Sequence, residues 1–181
     1  SGIPTDNTIA DLIELLDEGD VIIDGGNSYY KDSINNSKKC EEKNIEFLDC
    51  GTSGGVWGLE NGFCLTIGGK KETYSDLSKL FNTLSTPESP NGLYVGIAGS
   101  GHYVKMIHNG IEYGMMQSIA EGLEILKKKE EFNLNLDEIS LNWRSGSVIQ
   151  SWLIDLIIDE LKNDTKLSKY SSMVSDSGEG R

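Results

Sequence analysis

Val21-Ile22-Ile23-Asp24-Gly25-Gly26-Asn27-Ser28 joins a short apolar run to a glycine pair, and its reading decides the fold. Three adjacent β-branched residues with no polar alternation mark a strand covered on both faces. The glycine pair ends that strand at once. The same grammar returns downstream, where Ile45-Glu46-Phe47-Leu48-Asp49 reads as a strand. It runs into a second glycine-rich turn, Gly51-Thr52-Ser53-Gly54-Gly55-Val56-Trp57-Gly58. A helix is expected between the two, from about Tyr30 to Lys43. Upstream, Thr5 or Asp6 precedes the periodic residues Ile9, Leu12, Ile13 and Leu16, which predicts a capped helix ending near Gly19. Downstream, Phe63 to Ile67 predicts a strand, Thr73 to Leu84 a helix, and Leu93-Tyr94-Val95-Gly96 one more short strand.

Strands alternating with helices, each strand feeding a glycine loop, describe an α/β fold built on a parallel sheet. Ligands of such sheets sit at the carboxyl ends of the strands, where both glycine turns fall. A complete dinucleotide-binding domain opens on a strand and a GxGxxG turn, and no GxGxxG occurs in this sequence. Gly96-Ile97-Ala98-Gly99-Ser100-Gly101 is glycine-rich at a different spacing. After Gly101 the pattern turns all-helical. Residues 1–100 therefore read as the latter part of a Rossmann-like dinucleotide-binding domain, and 101–181 as the first part of a helical domain.

Composition narrows the function classes. Sixteen basic against 29 acidic side chains give a net charge of −13, which argues against nucleic acid or an anionic membrane as partner. No run approaches the roughly 18 apolar residues of a membrane span, and no secretory signal is visible. Cys40, Cys50 and Cys64 lack metal-site or disulfide spacing and read as reduced thiols of a cytoplasmic protein.

From His102 to about Lys129 there is no proline or turn signal, so one helix of roughly 28 residues, about 42 Å long, is expected. With Lys105 set at zero and about 100° per residue, His108, Asn109, Glu112 and Tyr113 share its face. Tyr103, Ile107, Gly110, Ile111, Gly114 and Met115 lie opposite. Gly110 and Gly114, one turn apart, would let another element approach. Between His102 and Ala120 only Lys105 and Glu112 carry full charge, which predicts a buried helix with a paired or pKa-shifted lysine. Lys105 and Glu112, about 10 Å apart along the axis, suit acid–base work at two ends of one substrate better than a direct ion pair. A solvated charged face is the competing reading. On residue type alone, Gly25, Gly26, Gly54 and Gly55 are also turn formers, Asn27 a helix cap, and His108 a structural histidine.

Three stretches occur in one order: Asp24-Gly25-Gly26-Asn27-Ser28, Gly51 to Gly58, and Gly101-His102-Tyr103-Val104-Lys105-Met106-Ile107-His108-Asn109-Gly110-Ile111-Glu112-Tyr113-Gly114. Together they closely resemble the decarboxylating 6-phosphogluconate dehydrogenase family, and the ending Asp176 to Arg181 resembles its shorter prokaryotic type. The resemblance covers essentially the whole chain. It implies oxidation of 6-phosphogluconate by NAD or NADP, then loss of CO2 to give ribulose 5-phosphate, without a metal. It further implies Lys105 as general base and Glu112 as the acid that protonates C1. Asn27 is implied where nicotinamide meets substrate, and Ser53, Gly54 and Gly55 hold the sugar acid. His108 and Asn109 meet its hydroxyls or carboxylate, and Tyr113 the phosphate end. Arg181 is a candidate phosphate ligand, although the loop there differs in length from that of longer members.

The family's adenosine-ribose selector would precede Ser1, so the choice of NAD or NADP is not legible, and the chain reads as the central piece of a longer homo-oligomer, a dimer or higher. On that reading the isolated chain is expected to be inactive. Two rival readings are a related β-hydroxyacid dehydrogenase and a non-catalytic remnant serving as a binding or assembly module.

Overall fold

The structure, a computed structural model, describes residues 2–165 and 167–170. The described chain divides into two compact units, the first running through Gly110 and the second beginning at Ile111. The first opens on helix α1 (Ile3–Ile13) and strand β1 (Val21–Asp24), then α2 (Tyr30–Glu41) and β2 (Glu46–Ser53). Short helix α3 (Gly58–Asn61) precedes β3 (Cys64–Gly69), and α4 (Lys71–Asp76) and α5 (Ser78–Leu84) precede β4 (Leu93–Gly96). Helix α6 (Ser100–Lys128) starts in this unit and continues into the second, which also holds α7 (Leu136–Trp143) and α8 (Trp152–Asn163).

The strands form one sheet in the order β1-β2-β3-β4. β1 and β2 are parallel, as are β3 and β4, but β2 and β3 run antiparallel, Leu48 facing Gly69 and Ser53 facing Cys64. The α/β architecture is the expected one, with a mixed rather than wholly parallel sheet. The reason is the link from Gly54 to Phe63, which holds only a 3-10 turn and the single turn of α3. A parallel crossover needs about a dozen residues or more, usually a full helix.

Three local expectations are corrected. α1 begins at Ile3 with Gly2 as its cap and no side-chain cap bond. Pro4 sits in its first turn, where a missing N–H costs nothing. Asp6, expected as a cap, instead accepts a 2.8 Å hydrogen bond from Asn36. β2 continues past Asp49 to Ser53, so Gly51 is a strand residue and the turn starts at Gly54. The helix expected from Thr73 to Leu84 is broken at Leu77 into α4 and α5.

Two apolar clusters flank the sheet. Ile9, Ile13, Ile22, Cys40, Ile45 and Phe47 lie under α1 and α2. Leu48, Cys50, Leu65, Ile67 and Phe81 form the other. In the second unit Leu123, Leu136 and Leu161 make a separate core. Burying each such side chain is worth about 1.5–3 kcal/mol relative to leaving it in water.

Candidate functional site

Successive side chains of a strand point to opposite faces, and on a helix every third residue returns to nearly the same side. Asp49, Gly51 and Ser53 therefore share one face of β2, away from Leu48 and Cys50. Against that face run His102, Lys105 and His108 of α6, in the same order. At the first rung the Asp49 carboxylate, fully buried, accepts hydrogen bonds from the Gly99 amide (2.6 Å) and the His102 amide (2.8 Å). A helix start has amide groups without internal partners and a partial positive charge, and the carboxylate satisfies both. Thr66 of β3 adds a 3.1 Å hydrogen bond to the Gly101 carbonyl.

At the second rung only glycine fits. A Cβ on Gly51 would lie 2.5 Å from the Lys105 Cβ, and one on Gly101 would lie 2.5 Å from the Asp49 carbonyl oxygen. The first turn of α6 thus rests on the sheet backbone, and Lys105, one turn on, is half-buried. At the third rung the His108 Nε2 is 3.5 Å from the Ser53 hydroxyl.

The polar groups beyond form a connected set. The Lys105 Nζ is 3.3 Å from the His108 Nδ1, which is 3.2 Å from the Asn109 Oδ1. The Asn109 amide donates to the Asn27 Oδ1 at 3.4 Å. Asn109 is buried and Asn27 half-buried. One imidazole nitrogen cannot both accept from an ammonium and donate to an amide oxygen. An Nδ1 that carries the proton donates to Asn109, and one that lacks it accepts from Lys105. A second tie joins the same elements: buried Ser33 of α2 lies 2.7 Å from the Nδ1 of buried His102.

The structure thus brings Asn27, Ser53, Lys105, His108 and Asn109 together. Gly54 and Gly55 follow Ser53 directly, at φ of 140° and 55°, values that other side chains rarely adopt. Glu112 and Tyr113 are on α6 in the second unit, the former half-buried and the latter exposed. Arg181 lies outside the described residues.

Two expectations about α6 are corrected. The helix is not buried: Tyr103 and Ile107 are 47% exposed each. In the first unit the stripe with Lys105 faces the sheet and the apolar side faces outward, because the sheet here offers α6 a glycine and two polar side chains. Gly110 and Gly114 meet no neighbour among the described residues, since a Cβ on either would find nothing within 4 Å. The residues that sequence reasoning passed over are Asp49, Thr66, Ser33 and His102. Asp49 carried a signal, an acidic residue following directly on Phe47-Leu48 in a strand.

A mixed sheet followed by a long helix is also the fold of a solved Mycobacterium tuberculosis 3-hydroxyisobutyrate dehydrogenase, with a TM-score of 0.69 over 84% of this chain and 52% of that one. At 18% identity that likeness shows the fold alone. Residues 1–96 match the family described as the NAD binding domain of 6-phosphogluconate dehydrogenase, and residues 101–132 match its C-terminal domain. The chain belongs to the 6-phosphogluconate dehydrogenase family. The NAD(+)-dependent, decarboxylating 6-phosphogluconate dehydrogenase of Haloferax volcanii is 40% identical over 164 residues, 91% of this chain and 53% of that protein. The decarboxylating enzyme 1 of Saccharomyces cerevisiae is 40% identical over 167 residues, 91% of this chain and 34% of its own length. The Plasmodium falciparum 6-phosphogluconate dehydrogenase, solved alone, with NADP+ and with 6-phosphogluconate, superposes with a TM-score of 0.88 at 34% identity, over 99% of this chain and 40% of that one. The chain spans about half the length of these relatives, or less.

Proposed function

We propose that this chain supplies the substrate end of a 6-phosphogluconate dehydrogenase, which oxidises and decarboxylates 6-phosphogluconate to ribulose 5-phosphate. The observation that carries the reading is the ladder between β2 and α6, which gathers an amine, an imidazole, a hydroxyl and two carboxamides at the end of a strand.

Lys105, as a neutral amine, takes the proton of the substrate's 3-hydroxyl while the hydride departs from C3. His108, within reach of the Lys105 amine, holds or returns that proton, and Ser53 and Asn109 fix the substrate's oxygens. The β-keto acid so formed loses CO2 because its carbonyl accepts the electron pair. Glu112 then delivers a proton to C1 of the resulting enediol, the former C2 of the substrate, and Tyr113 meets the phosphate end. NAD or NADP supplies the hydride acceptor when bound. The loop after β1 fits such a polar group: the Asp24 Oδ2 and Ser28 hydroxyl beside Asn27 are buried without a hydrogen-bond partner among the described residues. Gly54 and Gly55 offer backbone N–H groups to the sugar acid, and Arg181 is assigned to the phosphate. Residues 1–100 serve as the cofactor-domain portion and 101–181 as the substrate-domain portion of a cytoplasmic homo-oligomer.

The test is an intact mass of the native protein from its cells, followed by an assay of NAD(P)H formation with 6-phosphogluconate. The expected result is turnover that Lys105→Met abolishes and Glu112→Gln lowers. Near-normal turnover by Lys105→Met overturns the base assignment. A native species of 19.9 kDa without activity overturns the enzymatic reading in favour of a binding or assembly module.

A further inference from the structure

Lys105 has a flexible stem, and its amine lies 3.3 Å from the Nδ1 of His108 on the same helix. The helix start that carries it is fixed by a residue more than fifty positions earlier. We infer that Asp49 is the positioning residue of this site: its buried carboxylate clamps the first turn of α6 and thereby sets the place of Lys105. The inference rests on the proposed role of Lys105 for its functional meaning, though not for its test.

Four observations carry it. The carboxylate is fully buried, and each oxygen takes one amide of the helix start, Gly99 at 2.6 Å and His102 at 2.8 Å. Hydrogen bonds to a charged acceptor are roughly twice as strong as neutral ones. The space around the clamp is closed by backbone, since a Cβ on Gly68 would lie 2.6 Å from the Asp49 Oδ1 and 2.8 Å from the Gly101 nitrogen. The Gly51–Lys105 approach lies two residues further along the same strand face, so a shift at Asp49 is transmitted to Lys105 through rigid backbone. Ser33 and His102 add a lateral tie to the helix that follows the Asn27 loop. A Ser33 hydroxyl that donates to the Tyr29 carbonyl, at 3.4 Å, leaves its oxygen to accept the His102 Nδ1–H. That tautomer leaves the buried His102 Nε2, which has no hydrogen-bond partner among the described residues, as a lone pair rather than a stranded N–H.

Asp49→Asn keeps the shape and removes the charge and one acceptor. The experiment reads backbone amide exchange and the side-chain NMR signals of Lys105 in the 181-residue chain. In the unmodified chain, the Gly99 and His102 amides should be as protected as those of the β2 core. In Asp49→Asn their protection should fall about tenfold or more, as expected when a charged hydrogen bond is lost. The Lys105 side-chain signals should move while those of Lys70 stay. A role in stability alone would lower the unfolding midpoint and leave the Lys105 signals of the folded protein in place, and that result overturns the inference. If Asp49→Asn does not fold, the unmodified chain decides: exchange at Gly99 and His102 as fast as in exposed loops overturns the clamp. Binding of 6-phosphogluconate is followed on the same samples. A shift at Lys105 without any binding refutes the proposed function and leaves the clamp standing.

Discussion

Gly101→Ala and Gly110→Ala add the same methyl group to the same helix, and the structure assigns them opposite signs. At position 101 the new Cβ would stand 2.5 Å from the carbonyl oxygens of both Asp49 and Thr66, and 2.9 Å from the Asp49 Oδ2. Ordinary contact begins at 3.4 Å, so the deficit is 3.4 − 2.5 = 0.9 Å. Both carbonyls belong to paired strands, β2 and β3, and cannot retreat separately. The helix must move instead, and a shift of that size stretches the Asp49 clamp beyond good hydrogen-bond length. Overpacking costs about 1–3 kcal/mol, and loss of a charged hydrogen bond about 1.5–3 kcal/mol. Alanine's helix propensity returns about 1 kcal/mol. The expected outcome is a loss of about 1.5–5 kcal/mol of stability. At position 110 nothing lies within 4 Å, so only the propensity gain of about 1 kcal/mol remains. Urea unfolding followed by far-ultraviolet circular dichroism measures both, with slopes compared to confirm that only the midpoint moved. A Gly101→Ala midpoint at or above that of the unmodified chain would refute the close approach on which the site geometry rests.

Three further outcomes follow from burial. Cys40 and Cys50 are buried and Cys64 exposed. Burial pushes the Cys50 thiol from 9.0 up to about 11, and the Thr52 hydroxyl only partly opposes it. At about pH 8 a thiol reagent should therefore modify Cys64 alone in the folded chain, and all three cysteines in urea, because the thiolate is the reacting form. The folded-state value is the raised one, so this contribution to stability is whole below pH 9 and is lost as pH climbs from 9 toward 11. Urea midpoints across that range read it, and a midpoint that rises there contradicts the assignment. Leu161, fully buried against Leu123 and Leu136, should cost about 2–5 kcal/mol when cut to alanine. Amide exchange in α7 and α8 measures that loss, and unchanged protection there would show that this cluster does not hold the second unit together.

Local signals carried much of the fold. The β4 strand and the long α6 lie where apolar runs and the absence of breakers put them. Errors came where a residue's meaning depends on distant partners. Gly51 looks like a turn glycine because it follows a strand and precedes other glycines, yet it is a strand residue whose missing side chain admits Lys105. The antiparallel β3 turned on whether the Gly54–Phe63 link was long enough for a crossover, and its glycines masked the 3-10 turn. For the site, the chemistry-bearing residues of α6 were visible by helical period. Asp49 was marked only as an acidic residue in an apolar strand, because its partners are backbone amides fifty residues away and no side-chain pattern announces them. The outward apolar side of α6 was misread for a related reason: scarcity of charge signals a buried surface only where an element lies beside it.

The geometry of the ladder explains why the reactive groups stand at its far end. β2 advances about 6.6 Å between residues that share a face, whereas α6 advances about 4.5 Å over three residues. Two elements running in the same sense cannot stay in step at those spacings, and each rung leaves them about 2 Å further out of register. The first rung is closed by hydrogen bonds of 2.6 and 2.8 Å at Asp49. The second is a bare contact that only Gly51 permits. By the third, Ser53 and His108 meet only through the tips of their side chains, at 3.5 Å. The carboxylate that holds the helix start therefore leaves the later rungs to a glycine contact and to longer polar side chains. Lys105 stands at the middle rung, its Cβ placed where only a glycine leaves room and its amine 3.3 Å from the His108 Nδ1, so the rung that positions the base also sets its first polar neighbour.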